Sequence, residues 1–463
     1  MQNRILLSLT FLFFILITAL SINIPFFWDG TFFSASALHF FENGFQDGIA
    51  PKELDTGGFP MYSFYLAMAW KVFSKSLAVS HLALLPVVLG MAYEYLKLAN
   101  RFLKKRALIF AVLLLFFEPT LITQTILIGY DLLLVYFFLL ALNALLAGKS
   151  RLYILAFTLL CLSNVRGAML GLSLLFIDLT LVSPTLKTKF QKSKTYFIPF
   201  IILSLWTVFH YYKTGWWFIS PEREHTHEAL LPVSMMLHQL LFIFWKIADF
   251  GRVALWLFFF VAGYYLFQNK FSSLFKTLLK IIFIPLIILS VFMIPIANPI
   301  GQKYFIVIFL VLNIGVCFLI QEIKTGKWQL TIISCFCIAL VSGNFWLYPE
   351  RFGNGWDSSL KVIPYFHLQK EMDAFIKNNN ISPADIGTQF PLIADKRVAY
   401  LSDTSYCYNN VWSGPIGKFR YFLYTNIINT DISQQVNETK QKWELIKGIH
   451  SGQVYINLYK RPD

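Results

Sequence analysis

Long apolar runs separated by short polar breaks fill the first three quarters of the chain and stop near residue 348. They occupy 5–27, 59–73, 77–99, 107–126, 131–147, 152–164, 167–182, 196–212, 232–250, 252–267, 281–298, 303–320 and 329–347. A bilayer-spanning helix takes about 20 predominantly apolar residues, so the longer runs predict transmembrane α-helices. The first run follows Arg4 and shows no small-residue cleavage site before Trp28, which reads as a retained first helix. Beyond 348 the pattern becomes that of a water-facing domain, with helix-like stretches at 368–378 and 437–448 and strand-like stretches at 397–401 and 453–459. The predicted architecture is an all-α polytopic membrane domain over 1–348 followed by a small α/β soluble domain over 349–463.

Composition supports this and adds sidedness. The 463 residues are 57% hydrophobic and 14% charged, against about 45–50% and about 25% for a soluble domain. Residues 1–348 hold 26 Lys and Arg but 14 Asp and Glu, whereas 349–463 hold 13 and 11. The net charge of +14 therefore sits almost wholly in the membrane part. Its basic residues cluster between apolar runs at 101–106, 149–151, 187–194, 270–280 and 324–327, where they orient a bilayer protein, and this distribution argues against nucleic-acid binding. With the N-terminus inside, all five clusters face the cytoplasm if 59–73 and 232–250 lie along the outer interface. Both suit that place, one being short and entered through Gly57, Gly58 and Pro60, the other carrying His238, Lys246 and Asp249, which are costly at the bilayer centre. About eleven crossings result, which puts the tail outside. The five cysteines form no CxxC pair or disulfide framework.

The outer face then collects the loop 28–58, the turn 118–131, the turn 164–166, the loop 213–231, the turn 298–303 and the tail. Asp29, in Trp28-Asp29-Gly30, either marks a helix end or offers a carboxylate outward. Asp131, beside Tyr130 at the outer end of a Leu-rich helix, is a functional candidate because ionisable groups there are rare. Two such carboxylates suit general-base chemistry on a hydroxyl, or a shared Mg²⁺ or Mn²⁺, since these ions take oxygen ligands. Arg166 interrupts an apolar stretch and suits a lipid phosphate, the alternative being a snorkelling helix-end arginine. Lys303 is a second outward cation. His227, in the polar run 222–228, reads as a substrate contact within a solvated loop whose spacing is not that of a closed zinc site. Asp55 is either the N-cap of the next helix or a third acid. Trp356, Tyr406, Tyr408, Trp412 and Tyr421 in the tail suit sugar stacking, although core packing explains them as well. No P-loop, GxGxxG, nucleophile elbow or HExxH occurs.

Trp28-Asp29-Gly30, then Asp55 to Pro60 leading into Met61-Tyr62-Ser63-Phe64-Tyr65-Leu66, and Glu118-Pro119-Thr120 through Gly129-Tyr130-Asp131, resemble the outer loops of GT-C fold glycosyltransferases. The protein mannosyltransferase and lipid A aminoarabinose transferase branch is the one they are most similar to. The resemblance covers roughly residues 5–182. It implies a multi-pass protein of the bacterial inner membrane, with a cytoplasmic N-terminus and a periplasmic C-terminal domain. Its expected reaction is inverting transfer of a sugar from a polyprenyl-phosphate donor to an extracytoplasmic acceptor hydroxyl on protein, lipid or glycan. By that resemblance Asp29 is the catalytic carboxylate and Asp131 the second acid. Tyr130, Asp55, Arg166, His227 and Lys303 are expected as substrate contacts. No cofactor beyond the donor is required, a divalent cation being an open addition. One departure is Gly57-Gly58-Phe59-Pro60, where the family often has His-Pro-Pro or Lys-Pro. The competing readings are a flippase or transporter of a lipid-linked sugar, which should carry inverted repeats and midplane charges, and a non-catalytic membrane assembly factor.

Overall fold

The computed structural model describes residues 2–46, 48–181, 186–217, 230–266, 272–349, 352–411, 416–428 and 433–462, with backbone alone at 2, 186–196 and 433–435. Most of them are helical. In the membrane body the helices are α1 (Gln2–Ser21), α2 (Asp29–Asn43), α3 (Met61–Val72), α4 (Leu77–Phe102), α5 (Lys105–Phe117), α6 (Pro119–Ile126), α7 (Asp131–Leu146), α8 (Ser150–Ser163), α9 (Val165–Leu181) and α10 (Leu186–Thr214). They continue with α11 (Val233–Ala248), α12 (Arg252–Leu266), α13 (Ser273–Met293), α14 (Ile306–Ile320) and α15 (Gly326–Ser342). Among the described residues five stretches, 3–21, 77–102, 273–293, 302–320 and 326–345, are long and apolar enough to cross a bilayer, and α5 with α6 makes a bent sixth. Four shorter apolar helices, α7, α8, α11 and α12, accompany them, where the charge pattern predicts about eleven crossings. The chain is an integral membrane protein. At its centre runs α14, every residue of which is buried. Such a helix, apolar on all sides, belongs inside a bundle.

Two expectations for the body are corrected. The run 107–126 is not one helix, because Glu118 breaks it: α5 and α6 meet at 54°. Pro119 disfavours helical backbone at the residue before it, and the freed Glu118 carboxylate caps α6 by accepting from the Leu121 amide at 2.6 Å. The stretch 28–58 is not a plain loop, for its first half is the 15-residue helix α2. Small and apolar residues recur there at Gly30, Ser34, Ala37 and Leu38, all buried. They form a helical stripe that the polar Asp29-Gly30-Thr31 start disguises.

The tail contributes α16 (Ile363–Asn378), α17 (Lys396–Ala399) and α18 (Ser433–Lys442), with strands β1 (Ile386–Thr388), β2 (Asn409–Asn410), β3 (Tyr421–Thr425), β4 (Glu444–Ser451) and β5 (Val454–Lys460). The sheet order is β2-β1-β3-β5-β4. Strand β1 runs parallel to both β2 and β3, whereas β5 is antiparallel to β3 and to β4, pairing Leu423 with Leu458 and Ile449 with Ile456. The small α/β tail is therefore present and the strand at 453–459 is found. At 397–401, however, the chain is helical, since Asp395 caps α17 through the Arg397 amide at 2.9 Å. The helix predicted to 448 ends at Lys442. From Glu444 the chain forms β4, an edge strand of the sheet with a single buried residue, Ile449, so it does not show the alternation of a half-buried strand.

The tail does not stand apart from the body. Its core of Val362, Tyr365, Leu368, Ile386, Leu423 and Ile456 also takes in Phe27 and Leu127 from the body. Thr120 Oγ1 donates to the Ser358 carbonyl at 3.1 Å, Gln124 Nε2 to the Asp357 carbonyl at 2.7 Å, and Lys246 Nζ to the Gly353 carbonyl at 2.6 Å. Arg397 pairs with Glu42 at 2.5 Å, and Phe26 donates its amide to the Ala399 carbonyl at 2.9 Å. Several basic clusters collect at the opposite end of the bundle, where Lys104, Lys105 and Arg106 are exposed and Arg106 donates to the Gly326 carbonyl at 3.1 Å.

Candidate active site

Three helix starts and two single-turn 3-10 segments converge beneath the tail. Asp29 is the first residue of α2 and follows Trp28, whose φ is +53°, a conformation costly for a bulky side chain. Its carboxylate stands at a helix N-terminus, where the backbone dipoles favour negative charge. Asp131 is likewise the first residue of α7, set up by the sharp turn at Ile128 (φ +55°) and Gly129. A Cβ on Gly129 would lie 2.0 Å from Gln124 Oε1, so any larger residue there would displace the Gln124 side chain. Arg166 lies in the first turn of α9, after Asn164 has separated it from α8. Lys303 sits in the 3-10 turn Gln302–Phe305, and Asp357 in the turn Trp356–Ser358 of the tail.

These groups form two ionic pairings side by side. Lys303 Nζ lies 2.7 Å from Asp29 Oδ2 and 2.6 Å from Asp357 Oδ2. Arg166 Nη1 donates to Asp131 Oδ1 at 2.5 Å, and Nη2 donates to the Tyr130 hydroxyl. The Arg166 guanidinium also stacks on the Tyr304 ring at 3.9 Å. Burial separates their roles. The Asp29 side chain is 38% exposed, whereas those of Lys303, Asp357 and Asp131 are 5%, 8% and 2% exposed.

In front of them opens a cavity of about 620 Å³. Asp29, Tyr130, Arg166 and Tyr304 line its polar floor. Val165, Met169, Phe292, Met293 and Ile296 form one apolar wall, and the tail residues Phe390, Ile393, Ala394 and Val398 form another. Asp395 is the acid on the tail side. Burial alone would raise its carboxyl, but hydrogen bonds from Ser405 Oγ and the Arg397 and Tyr406 amides, with the Arg397 charge, hold it below the ordinary value.

The residues singled out from sequence divide accordingly. Asp29, Tyr130 and Arg166 meet on the floor. Asp131 and Lys303, expected to face outward, stand behind it. Asp55 is not the N-cap of α3, whose cap position is Pro60. It is buried and accepts from the Gly57 amide at 2.8 Å, His210 Nε2 at 2.7 Å and Trp216 Nε1 at 2.9 Å, anchoring loop to helix beside the cavity. His227 and Trp412 lie outside the described residues. Trp356 and Tyr408 are core side chains. Glu118 pairs with Arg252, both about 1% exposed.

Three site residues escaped sequence reading. Tyr304 adjoins Lys303 and could have been weighed with it. Asp357 and Asp395 lie in a tail rich in acids, and only tertiary contact distinguishes them. Among the described residues no group of three or more His, Cys, Asp or Glu side chains is placed to hold a metal ion. Between Asp29 and Asp357, where an ion would bridge two carboxylates, the Lys303 ammonium stands.

No protein-family model matches the chain, and no curated protein matches it. Solved structures do. The crystal structure of ArnT from Cupriavidus metallidurans bound to undecaprenyl phosphate aligns with TM-score 0.57 at 10% identity, over 97% of each chain. The chain has the fold of ArnT. The apo form of the same protein aligns with TM-score 0.54 at 11% identity, over 96% of each chain. ArnT is a lipid A aminoarabinose transferase with the GT-C fold, so the resemblance read from the outer loops holds at the level of fold. The ArnT likeness runs through the C-terminal tail as well, well past the stretch that carried the sequence motifs.

Proposed function

We propose that the chain is a GT-C type membrane glycosyltransferase that moves a sugar from a polyprenyl-phosphate donor to a hydroxyl acceptor on the membrane face carrying the C-terminal domain. The observation that carries this reading is the cavity: one partly exposed carboxylate and one guanidinium share a floor, in a fold shared with a protein crystallised with undecaprenyl phosphate. Asp29 accepts the acceptor's hydroxyl proton as its oxygen attacks the anomeric carbon. The bond from that carbon to the donor phosphate breaks, and the lipid phosphate departs with its electron pair. A single displacement inverts the anomeric centre.

Arg166 is suited to the departing phosphate because its fork matches phosphate oxygens, while Asp131, Tyr130 and Tyr304 fix its plane. Cations placed where charge develops lower the barrier. The wall of Val165, Met169, Phe292, Met293 and Ile296 is suited to the polyprenyl chain. In this reading no step is routed through a divalent cation. The basic clusters at the far end favour a cytoplasmic side for that end and the N-terminus, and with it a periplasmic tail on a bacterial inner membrane.

The test is reconstitution. Purified protein is added to envelope membranes from a strain lacking it, and sugar incorporation is followed by mass spectrometry. Asp29→Asn is expected to slow transfer by about 10²–10⁴-fold, the usual contribution of a positioned base, while undecaprenyl phosphate binding persists. A variant that transfers at the wild-type rate would sink the assignment.

A further inference from the structure

We propose that Asp357 of the tail is a positioning residue of the transfer reaction: it holds the Lys303 ammonium while Asp29 takes up the acceptor's proton. The inference rests on the transferase reading and assigns the tail a part in the chemistry.

Proton uptake at Asp29 changes what Lys303 faces. Its ammonium is 5% exposed and touches two carboxylates, Asp29 at 2.7 Å and Asp357 at 2.6 Å. When Asp29 becomes neutral, one counter-ion vanishes. An uncompensated buried charge is strongly unfavourable, so a site with Asp29 alone would resist the protonation that the reaction requires. Asp131 does not replace it: its Oδ1 is held by Arg166 at 2.5 Å, and the carboxylates at hydrogen-bond distance from the ammonium are those of Asp29 and Asp357. Asp357 keeps the ammonium paired throughout, which allows Asp29 to change charge. The same carboxylate also raises the proton affinity of Asp29, since a nearby like charge favours the neutral form of an acid.

The placement of Asp357 is fixed from both sides. Its carbonyl accepts from Gln124 Nε2 at 2.7 Å, the next carbonyl accepts from Thr120 Oγ1 at 3.1 Å, and its Oδ1 accepts from Ser358 Oγ at 3.2 Å. Gly355, with φ +61°, lets the turn pass so close to Gln302 that a Cβ would lie 2.4 Å from Gln302 Oε1. Helix α6 thus grips the turn that carries Asp357, and Lys303 receives its second carboxylate only when the tail is docked.

Electrostatics gives this role a signature that a packing role lacks. Asp357→Asn removes one negative charge from the site, so a phosphate ligand should bind more tightly while transfer slows. The experiment uses the full chain in lipid nanodiscs. Undecaprenyl phosphate affinity is measured for the wild type, Asp357→Asn and Asp357→Glu, and transfer into deletion-strain envelope membranes is timed between pH 5 and 9. For Asp357→Asn the expected result is a rate about 10–100-fold lower, an acidic limb of the rate profile displaced down by about one pH unit, and undecaprenyl phosphate bound severalfold more tightly. Asp357→Glu should recover most of the rate. Unchanged rate and limb in Asp357→Asn overturn the inference, as does a joint loss of phosphate affinity, thermal stability and rate, which marks a merely structural residue. A wild-type chain that binds undecaprenyl phosphate but transfers nothing overturns the transferase reading, and this inference with it.

Discussion

The two ends of the helix bundle use the same residue types in opposite ways. At the tail end Lys303, Arg166 and Arg252 are each buried or nearly so and each faces a carboxylate at hydrogen-bond distance. At the other end Arg101, Lys104, Lys105, Arg106 and Lys149 are exposed. Arg101 donates to the carbonyls of Asn143 and Leu146, in the last turn of α7, at 3.3 and 3.4 Å. A cation near a helix C-terminus complements the dipole at small energetic consequence, whereas a buried cation depends wholly on its partner. Charge counted along the chain therefore says which end is which, and burial alone says which charges matter to chemistry.

The strongest way to break this contrast is to remove Arg166. Arg166→Ala deletes the guanidinium on the cavity floor and strands Asp131, whose Oδ2 already has no hydrogen-bond partner among the described residues. Transfer should fall by about 10²–10³-fold, the usual effect of removing one preorganised donor to developing charge. Arg166→Lys should recover little, because an ammonium cannot span Asp131, the Tyr130 hydroxyl and the Tyr304 face together. Initial rates with saturating donor decide it. A loss under threefold would mean that the phosphate lies elsewhere.

Next in size is the pair Glu118–Arg252 at the break between α5 and α6. Breaking a fully buried pair costs about 3–5 kcal/mol, yet replacing both partners by apolar groups can be neutral. Glu118→Gln should lower the thermal midpoint of the detergent-solubilised protein markedly. The double variant Glu118→Leu with Arg252→Met should recover much of it in fold stability, although the α6 cap is lost with the carboxylate at a cost of about 1 kcal/mol. If the double variant is no better than the single one, the pair is more than an ion pair and belongs with the neighbouring Asp249, Gln302 and Tyr348 network.

Much of this organisation was legible from residue pattern, for a physical reason. Apolar runs record contact with lipid or core, so many of the helices were recoverable, and the clustering of Lys and Arg between those runs sorted Asp29, Tyr130, Asp131, Arg166 and Lys303 to one end. What the pattern did not carry was depth. Lys303 and Arg166 look alike as helix-flanking cations, but one stands behind the floor and the other on it. Asp357 was hidden by distance, lying 328 positions after Asp29 in the chain and meeting it only through Lys303. Helix α2 was hidden because its buried face is made of Gly, Ser and Ala, which register weakly in any hydrophobic pattern.

A third effect concerns the seam between tail and body, and it depends on pH. Lys361 is buried with its Nζ on the carbonyls of Trp346 and Asn354 at 2.8 and 2.7 Å. Burial pushes its pKa down to about 7, with Asp249 opposing and Lys246 reinforcing that shift. An unfolded lysine titrates near 10.4, so between about pH 7 and 10 the unfolded chain binds more protons. Stability should therefore rise with pH across that window, by no more than a few kcal/mol, and be lowest below it. Lys361→Met should flatten the dependence of the thermal midpoint on pH. An unchanged slope would place the titration on another group.

The smallest effect belongs to the exposed end and makes the contrast quantitative. Arg101→Ala removes two long hydrogen bonds to the end of α7 from a side chain that water already reaches. Exposed charges of this kind contribute about 0.3–1 kcal/mol at low salt, and salt screens them further, the Debye length being about 8 Å at physiological ionic strength. The thermal midpoint should shift barely beyond error at low salt and not at all in 1 M salt. Transfer should be unchanged, since the cavity lies at the other end of the bundle. What the substitution should alter is topogenesis: together with neutralised Lys104, Lys105 and Arg106 it weakens the inside signal of that loop, readable as a mixed orientation in reporter fusions placed after Phe102. A loss of transfer in correctly oriented Arg101→Ala protein would show that the two ends communicate, and the division between an orienting end and a reacting end would fall.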